Sequence, residues 1–224
     1  MKRTKLSDRL LPTYSRGEEI FNMTSHIVGG SFAVVALVLC VVFSSIYNDA
    51  YAIVGSAIYG VSMIVLYTMS GIYHGLRDGT AKKVMQVLDH CTIYFLIAGT
   101  YTPILLASIR RISPMTAWIL FGVVWGLTAL AATLTAIDLK KYSVFSMICY
   151  IGMGWCIIFA VDKLIKAMEP AGLWLLLAGG IAYTVGAVLY GLGKKKSYMH
   201  GIFHMFVLLG SLLQFLCIFF FVIL

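Results

Sequence analysis

Long apolar stretches, separated by short polar breaks, make up most of the 224-residue chain. Seven of them predict membrane-spanning helices, because about 20 helical residues cross the roughly 30 Å hydrocarbon core of a bilayer. The expected spans are residues 20–43, 50–73, 84–107, 116–136, 144–161, 171–190 and 199–224. The fifth is short, but it is apolar enough to be kept. The pattern therefore predicts an all-α fold, a polytopic membrane protein with a seven-transmembrane helix bundle.

Residues typical of turns occupy the breaks between these spans. They are Arg77-Asp78-Gly79, Ser113-Pro114, Glu169-Pro170 and Gly191-Leu192-Gly193. Because every connection is short, we expect successive helices to be antiparallel neighbours. We predict one seven-helix domain over residues 20–224, preceded by a short basic cytoplasmic tail over residues 1–19.

Lysine and arginine are concentrated on one side of the predicted membrane. The side with the N-terminal tail carries thirteen, which are Lys2, Arg3, Lys5, Arg9, Arg16, Arg77, Lys82, Lys83, Lys140, Lys141, Lys194, Lys195 and Lys196. The other side carries four, which are Arg110, Arg111, Lys163 and Lys166. The positive-inside rule therefore predicts a cytoplasmic N-terminus and a C-terminus outside.

The composition agrees with a membrane protein and argues against two other classes. Hydrophobic residues make up 61% of the chain and charged residues 12%, about half the charged share of a soluble domain. The net charge of +8 is explained by the loop residues that set topology, and no basic patch interleaved with aromatic residues indicates nucleic-acid binding. The five cysteines lie within apolar stretches without a C-x-x-C pair, which argues against a disulfide framework.

Four metal-competent side chains fall at a similar depth from the predicted cytoplasmic surface. His74 ends the second span, Asp89 lies near the start of the third, and His200 and His204 begin the seventh. At 1.5 Å per residue they lie roughly 5–12 Å below that surface. His200 and His204 also share one helix face, because their spacing is i, i+4. An ionisable residue within a membrane span is a functional-site hypothesis by default.

Three histidines and one open position are typical of a catalytic zinc site. The depth and spacing favour His74, His200 and His204 as ligands of one zinc ion, which would acidify water and polarise a carbonyl. Asp89 is the acidic residue deep within a predicted span, and its expected role is general base or hydrogen-bond partner of the reacting water. Ser70, four residues before His74, lies on the same helix face and can hydrogen-bond at the same centre.

Other interpretations of these polar residues stay open. Histidines at helix ends can anchor a helix at the membrane interface. Asp89 can pair with His90 or another histidine, and Ser70 can serve packing or bond to the backbone. His90 points about 100° away from Asp89 around the helix, which disfavours it as a ligand. The first span has one polar face with residues spaced i, i+3, i+7, which are Glu19, Asn22 and His26. For these residues, capping and interhelical hydrogen bonding are favoured over metal ligation.

Four segments together resemble the hemolysin III family, the bacterial branch of the progestin and adipoQ receptor family, which is grouped with the alkaline ceramidases. They are residues 19–26 (EIFNMTSH), 70–74 (SGIYH), 88–90 (LDH) running into 97–103 (IAGTYTP), and 200–204 (HGIFH). Each alone is a weak signal, but their combination and order, from the first span to the last, are highly specific.

The resemblance implies a zinc ion near the cytoplasmic face, with His74, His200 and His204 as its ligands. It also implies that Asp89 contacts metal-bound water and that Ser70 belongs to the site. The Asp-His pair at Asp89 is similar to the bacterial members, whereas the animal receptors more often carry Asp-Tyr. The short predicted tail argues against hormone-receptor signalling.

From the residues and the resemblance we expect a zinc-dependent hydrolase of lipid amide bonds, ceramidase-like, acting in membrane lipid homeostasis. Membrane lipids and a small-molecule lipid substrate are the expected partners, without nucleic acid, and protein partners are left open. The expected location is the plasma membrane, or the bacterial inner membrane in a bacterial-branch member. Two alternatives remain: a non-enzymatic sensor- or receptor-like protein with structural zinc, and a pore-forming cytolysin, which the lack of a large polar face disfavours.

Overall fold

Long helices account for nearly all of the fold. The structure is a computed structural model that describes residues 4–193 and 196–224. In those residues the helices long and apolar enough to cross a membrane are α1 (Arg16–Tyr47), α2 (Ala50–Gly75), α3 (Thr80–Ile112), α4 (Pro114–Ile137), α5 (Ser143–Ala167), α6 (Pro170–Gly193) and α7 (Met199–Ile223). No strand occurs in the same part of the chain. The predicted all-α fold with seven spans is therefore confirmed.

Local sequence signals set most of the helix ends. Ser15 caps α1 through a reciprocal pair of hydrogen bonds with Glu18, and the Asp49 side chain accepts a backbone N–H in the first turn of α2. Pro114 and Pro170 are the first residues of α4 and α6, where the N–H that proline lacks has no partner within the helix. These signals explain why the predicted spans are found close to where the hydropathy pattern puts them.

Helix α3 is longer at both ends than the predicted residues 84–107. Pro103 lies inside it, and the chain continues as a wider π-helical turn over Ile104–Ile109. Such a turn adjusts the hydrogen-bond ladder around a proline without ending the helix. Arg110, which the charge pattern assigned to a connection, is therefore helical; it bonds the carbonyl of Leu106 within its own helix, and its guanidinium binds Asp49.

Two other predicted boundaries are wrong. Helix α5 does not end at residue 161 but continues to Ala167 through a tighter 3₁₀ turn over Cys156–Ala160. The predicted break at Gly191-Leu192-Gly193 is the last turn of α6. Gly193 there approaches α7 so closely that a Cβ atom would lie 1.9 Å from the Met199 side chain, so its glycine serves a close contact rather than a turn.

The helix ends alternate between two faces of the bundle, as expected for antiparallel neighbours. Glu19 at the start of α1 contacts Lys82 at the start of α3 and His74 at the end of α2. At the opposite face, Asn48 after α1 donates a hydrogen bond to the Ile223 carbonyl at the end of α7. The face with Glu19, His74 and Lys82 is called the histidine face below. Which face is cytoplasmic stays a prediction, and four of the residues behind it, Lys2, Arg3, Lys194 and Lys195, lie outside the described residues.

Helix α3 lies at the centre of the bundle and is the most buried of the spans. It packs against α2 on one side and α4 on the other, while α1 packs on α2 and α7, and α6 packs on α7. Gly99 allows the close approach of α3 to α2, because a Cβ atom there would lie 2.1 Å from the Ser62 hydroxyl. This packing brings the ends of α1, α2, α3 and α7 together at the histidine face.

Candidate metal centre

Three histidine side chains converge at the histidine face. His74 lies in the last turn of α2, and His200 and His204 lie in the first turns of α7. The Nε2 atoms of His74 and His200 are 3.1 Å apart, and one ring nitrogen from each of the three residues lies within 4.8 Å of the others. Nitrogens bound to one tetrahedral zinc are about 3.3 Å apart. The predicted ligand set is thus brought together closely enough that it could hold one metal ion.

The start of α7 is held in place by contacts with α1. Tyr198, which precedes α7, has a left-handed backbone with φ of 59°, an uncommon conformation for a residue with a side chain. Its backbone N–H donates to Glu18 Oε1 at 2.7 Å. One turn on, Gly201 lies so close to α1 that a Cβ atom would come within 2.5 Å of the Phe21 ring. These contacts fix the position of the first turns of α7 and therefore the direction in which the His200 and His204 side chains point.

A carboxylate on α1 sets the orientation of His74. Glu19 Oε2 lies 2.6 Å from His74 Nδ1, so Nδ1 donates its proton to the carboxylate and Nε2 faces His200. The same carboxylate binds the buried Lys82 ammonium through Oε1 at 2.5 Å. Carboxylate–histidine pairs of this kind orient metal ligands and raise their basicity. The interhelical hydrogen bonding predicted for Glu19 is confirmed, and its partner is a candidate ligand.

The His204 ring is also oriented by a hydrogen-bond acceptor on α1, but at a longer distance. Its Nδ1 lies 3.4 Å from the Ser25 hydroxyl oxygen, while the Ser25 hydroxyl donates to the Asn22 carbonyl at 2.8 Å. The hydroxyl hydrogen is therefore engaged, and its oxygen can accept from His204. His200 differs, because its Nδ1 atom is buried and has no hydrogen-bond partner.

The predicted catalytic pair faces a cavity that also reaches two of the histidines. The cavity has a volume of about 600 Å³, and Ser70, Asp89, His200 and His204 all line it. Most of its other lining residues are apolar and come from α3, α5, α6 and α7. Sites of this kind, apolar with a few convergent polar groups, are typical of small-molecule binding.

His90 does not join the histidine cluster. Its Nδ1 donates to the Gln86 carbonyl at 2.8 Å, in the preceding turn of α3, and lies 3.7 Å from Asp89 Oδ2. The second distance is longer than a hydrogen bond. It is still within the range of an ion pair, so the alternative in which Asp89 pairs with His90 stays open, and His90 lines the same cavity.

The two other polar residues of the α1 face behave differently from Glu19. The His26 ring contacts that of His204 with centroids 3.8 Å apart and a tilt of 36° between the ring planes, and it packs edge-on against Tyr67. Its nitrogens are not part of the group that converges on one point. The side-chain nitrogen and oxygen atoms of His26 and Asn22 are buried without hydrogen-bond partners. The predicted hydrogen bonding is thus not found for these two, and for His26 the contact is ring packing.

Sequence reasoning missed one residue that closes the cluster from outside. Tyr14 precedes α1, and its ring stacks on His200 with centroids 5.2 Å apart and lies 5.8 Å from that of His74. Burial raises the pKa of the Tyr14 phenol above its usual value. No periodic pattern includes Tyr14, because it lies in a polar segment without helical spacing; only its proximity to Glu19 in the chain was a signal.

The chain matches a known protein family over almost its whole length. A family model described as Haemolysin-III related matches residues 14–215. Hemolysin-3 of Bacillus cereus is 39% identical over 206 residues, 92% of this chain and 92% of that protein. The Hemolysin-3 homolog of Bacillus subtilis (strain 168) is 38% identical over 204 residues, 91% of this chain and 94% of that protein.

A more distant similarity extends to animals. The human Monocyte to macrophage differentiation factor is 26% identical over 168 residues, 71% of this chain and 67% of that protein. No solved structure matches the chain. These similarities confirm the resemblance that the four sequence segments indicated.

Proposed function

The chain belongs to the haemolysin III-related family, and from that premise we propose that it is a zinc-dependent hydrolase of lipid amide bonds that works within the membrane. Its apolar helices and its Bacillus relatives make it a multi-pass protein of the bacterial plasma membrane. One observation carries the proposal: two members of a three-histidine cluster, an aspartate and a serine open onto one apolar cavity.

Zinc suits the donor atoms present. Neutral imidazole nitrogens are preferred zinc ligands, and three of them leave a fourth position for water or substrate. Glu19 and Ser25 accept from the Nδ1 atoms of His74 and His204, which leaves both Nε2 atoms available. A zinc ion held by the cluster would supply a Lewis acid that acidifies water and polarises a carbonyl.

Residues of the chain carry out the proton transfers, stabilise the carbonyl oxygen and orient the metal ligand. Asp89, the carboxylate on the cavity wall, takes a proton from the attacking water, whose oxygen then bonds to the carbonyl carbon. The Ser70 hydroxyl donates a hydrogen bond to the carbonyl oxygen as it gains negative charge. When the carbon–nitrogen bond breaks, the leaving amine receives the proton that Asp89 holds. Glu19 keeps His74 in one orientation throughout.

The length of the cavity supports a lipid substrate. Trp174 and Tyr190 both line it and lie sixteen residues apart on α6, which corresponds to about 24 Å along the helix. One acyl chain needs about half of the 30 Å hydrocarbon core, roughly 15 Å. An apolar void of this length accommodates an acyl chain with its polar end at the histidine cluster.

Lipid hydrolysis by the purified protein tests the proposal. Zinc-loaded protein in phospholipid vesicles is given N-acyl lipids, and release of the amine is followed. Asp89→Ala is expected to lower the rate by about 10²–10⁴-fold, the usual contribution of a general base, while zinc remains bound. Asp162→Ala is the matched control, because Asp162 pairs only with its neighbour Lys163 in the described contacts.

The same experiment separates catalysis from a structural metal. Zinc that remains bound at one equivalent, with no turnover of any lipid amide or ester, would contradict the hydrolase. If chelation then lowered the melting temperature sharply and Asp89→Ala changed nothing, the receptor- or sensor-like protein with structural zinc would be favoured.

A further inference from the structure

We propose that residues 4–15, here called the N-terminal strap, form a lid that closes the aqueous route to the histidine cluster, with Tyr14 as the closing residue. The proposal rests on the metal centre proposed above but does not depend on turnover. It concerns how water-soluble species reach and leave the cluster.

Tyr14 lies directly over two of the three histidines. Its ring is nearly parallel to that of His200, with an interplanar angle of 24°, and tilted by 55° to that of His74. The Tyr190 ring also contacts His200, at 5.3 Å between ring centroids. Of these two tyrosines, Tyr14 precedes α1 and Tyr190 lies within α6.

The strap is tied to parts of the histidine face that are distant in sequence. The Thr4 backbone N–H donates to Asp138 Oδ2 at 2.8 Å, in the connection between α4 and α5. The Lys83 ammonium, at the start of α3, donates to the Ser7 carbonyl at 2.7 Å. Arg9, two residues beyond Ser7, has 7% of its surface exposed. The strap therefore crosses the face instead of extending away from it.

The two ends of the strap are held with different strength. At Ser15 the capping box and the Glu18 contact with Tyr198 join the strap to α1 and α7. Further towards the N-terminus, two hydrogen bonds, the buried Arg9 side chain and the ring contacts of Tyr14 connect it to the rest of the protein. Opening therefore requires these contacts to break, with Ser15 as a fixed pivot, and no helix has to unfold.

A separate polar route is needed because the cavity is apolar. Lipid can reach the cluster through the cavity, but a metal ion or a hydrophilic product is excluded from an apolar passage. The strap lies across the direct path between the cluster and the aqueous phase at the histidine face. Closure there also keeps bulk water from the reacting groups.

Zinc exchange tests the lid. Zinc-loaded full-length protein is mixed with a water-soluble chelating dye, and the release rate is measured together with the equilibrium dissociation constant. Tyr14→Ala is expected to speed release and uptake equally, each by about tenfold, the change that corresponds to one lost aromatic stacking contact. Tyr14→Phe is expected to match the wild type, because the ring and not the hydroxyl covers the cluster.

The dissociation constant separates a lid from a structural support. A lid changes both rates and leaves the constant unaltered, whereas a residue that supports the ligands changes the constant. Weaker zinc binding in Tyr14→Ala at an unchanged uptake rate would overturn the proposal, as would wild-type release rates. Tyr142→Ala controls for loss of a tyrosine elsewhere, because its described ring contacts are only with Phe145 and Lys141.

A second readout works without any metal, so that it stays informative if the proposed zinc chemistry fails. Cysteine is placed in the cluster by His204→Cys, which leaves the Tyr14 contacts with His200 and His74 in place; the five native cysteines are replaced, and labelling by a charged thiol reagent is timed. Adding Tyr14→Ala should speed labelling about tenfold, by the same loss of one stacking contact. Equal labelling with and without the Tyr14 ring would overturn the lid.

Discussion

Glu19 Oε2 lies 2.6 Å from His74 Nδ1, so a carboxylate on the first helix determines which nitrogen of the second-helix histidine faces the cluster. The contact joins two segments whose spacing in the chain carries no signal of proximity. The buried Lys82 ammonium also supports the site, because the Glu19 carboxylate binds Lys82 and His74 at once.

Replacing Glu19 should weaken metal binding without removing a ligand. In Glu19→Gln the oxygen can still accept from His74, but the charge that raises ligand basicity is lost, so zinc affinity should fall by about 10–100-fold. Competition with a chelator of known affinity measures this. Glu169→Gln is the matched control, because Glu169 lies in the connection between α5 and α6, at the face opposite the cluster, and the zinc affinity of that variant should equal that of the wild type. Equal zinc affinity in wild type and Glu19→Gln would contradict this role.

Metal content should depend on cluster histidines and not on neighbouring ones. His200→Ala removes one of three converging nitrogens and should lose the bound equivalent of zinc, measured by elemental analysis. His90→Ala should keep it, because the His90 ring bonds to the Gln86 carbonyl and stands outside the cluster. Retention by His200→Ala, or loss by His90→Ala, would show that the ligands have been misassigned.

Filling the cavity should block lipid turnover while sparing the metal. Ala187 lines the cavity, whereas the next residue on α6, Val188, has 46% of its surface exposed. Ala187→Phe is therefore expected to reduce lipid hydrolysis at least tenfold, because added bulk displaces an apolar substrate, with zinc still bound. Val188→Phe should leave hydrolysis close to wild type. Similar rates in both variants would mean that substrate does not occupy this cavity.

Much of the site followed from depth and spacing alone. His74, His200 and His204 were predicted from where each lies in its span, because helix rise is fixed and the i, i+4 relation defines one face. Glu19 was placed on a polar face but without its partner, since helix–helix rotation depends on packing contacts such as Gly201 against Phe21 that the sequence does not encode locally. Tyr14 was missed altogether, because an irregular segment has no period from which its path can be predicted.

The helix boundaries failed for a related reason. Arg110 has the charge of a loop residue, yet it is helical because its side chain bonds within the helix and across to Asp49. Gly191 and Gly193 resemble a break, yet Gly193 serves close packing against α7. Glycine and charged residues are local signals of a helix end, but tertiary contacts decide whether the helix ends there or continues.

Close packing between α2 and α3 should be sensitive to a single methyl group. Gly99→Ala would place its Cβ atom 2.1 Å from the Ser62 hydroxyl, and the strain of overpacking is expected to cost about 1–3 kcal/mol. Gly122→Ala on α4 is the control, because its Cβ atom would meet nothing within 4 Å, and the helix should gain slightly from the change. Apparent melting temperature in detergent measures both. A Gly99→Ala protein as stable as wild type would show that Ser62 moves freely.

The attachment of the strap should depend on pH through Asp138. Hydrogen bonds from the backbone N–H groups of Thr4 and Lys141 hold the pKa of Asp138 at about 2, below the usual 3.8. Because the folded-state pKa is lowered, this contact stabilises the strap fully above about pH 4 and is lost as the pH falls towards 2. Arg9 adds to the effect as a nearby positive charge.

A spin label at exposed residue 5 measures the mobility of the strap. In the wild type it should stay immobile from pH 7 to about pH 4 and become mobile below that. Asp138→Asn removes the charged acceptor, so this variant should be more mobile at neutral pH and lose the transition between pH 4 and 2. A wild-type label that is already mobile at pH 7 would show that Asp138 does not hold the strap.

His74 and His200 stand 126 positions apart in the chain, so α2 is synthesised long before α7. During synthesis the cluster is therefore incomplete until α7 has entered the bilayer, however well the earlier helices have folded. A nascent chain that stops before α7 would carry one of the three clustered histidines, so the convergence of the three rings requires that α7 has been made and inserted.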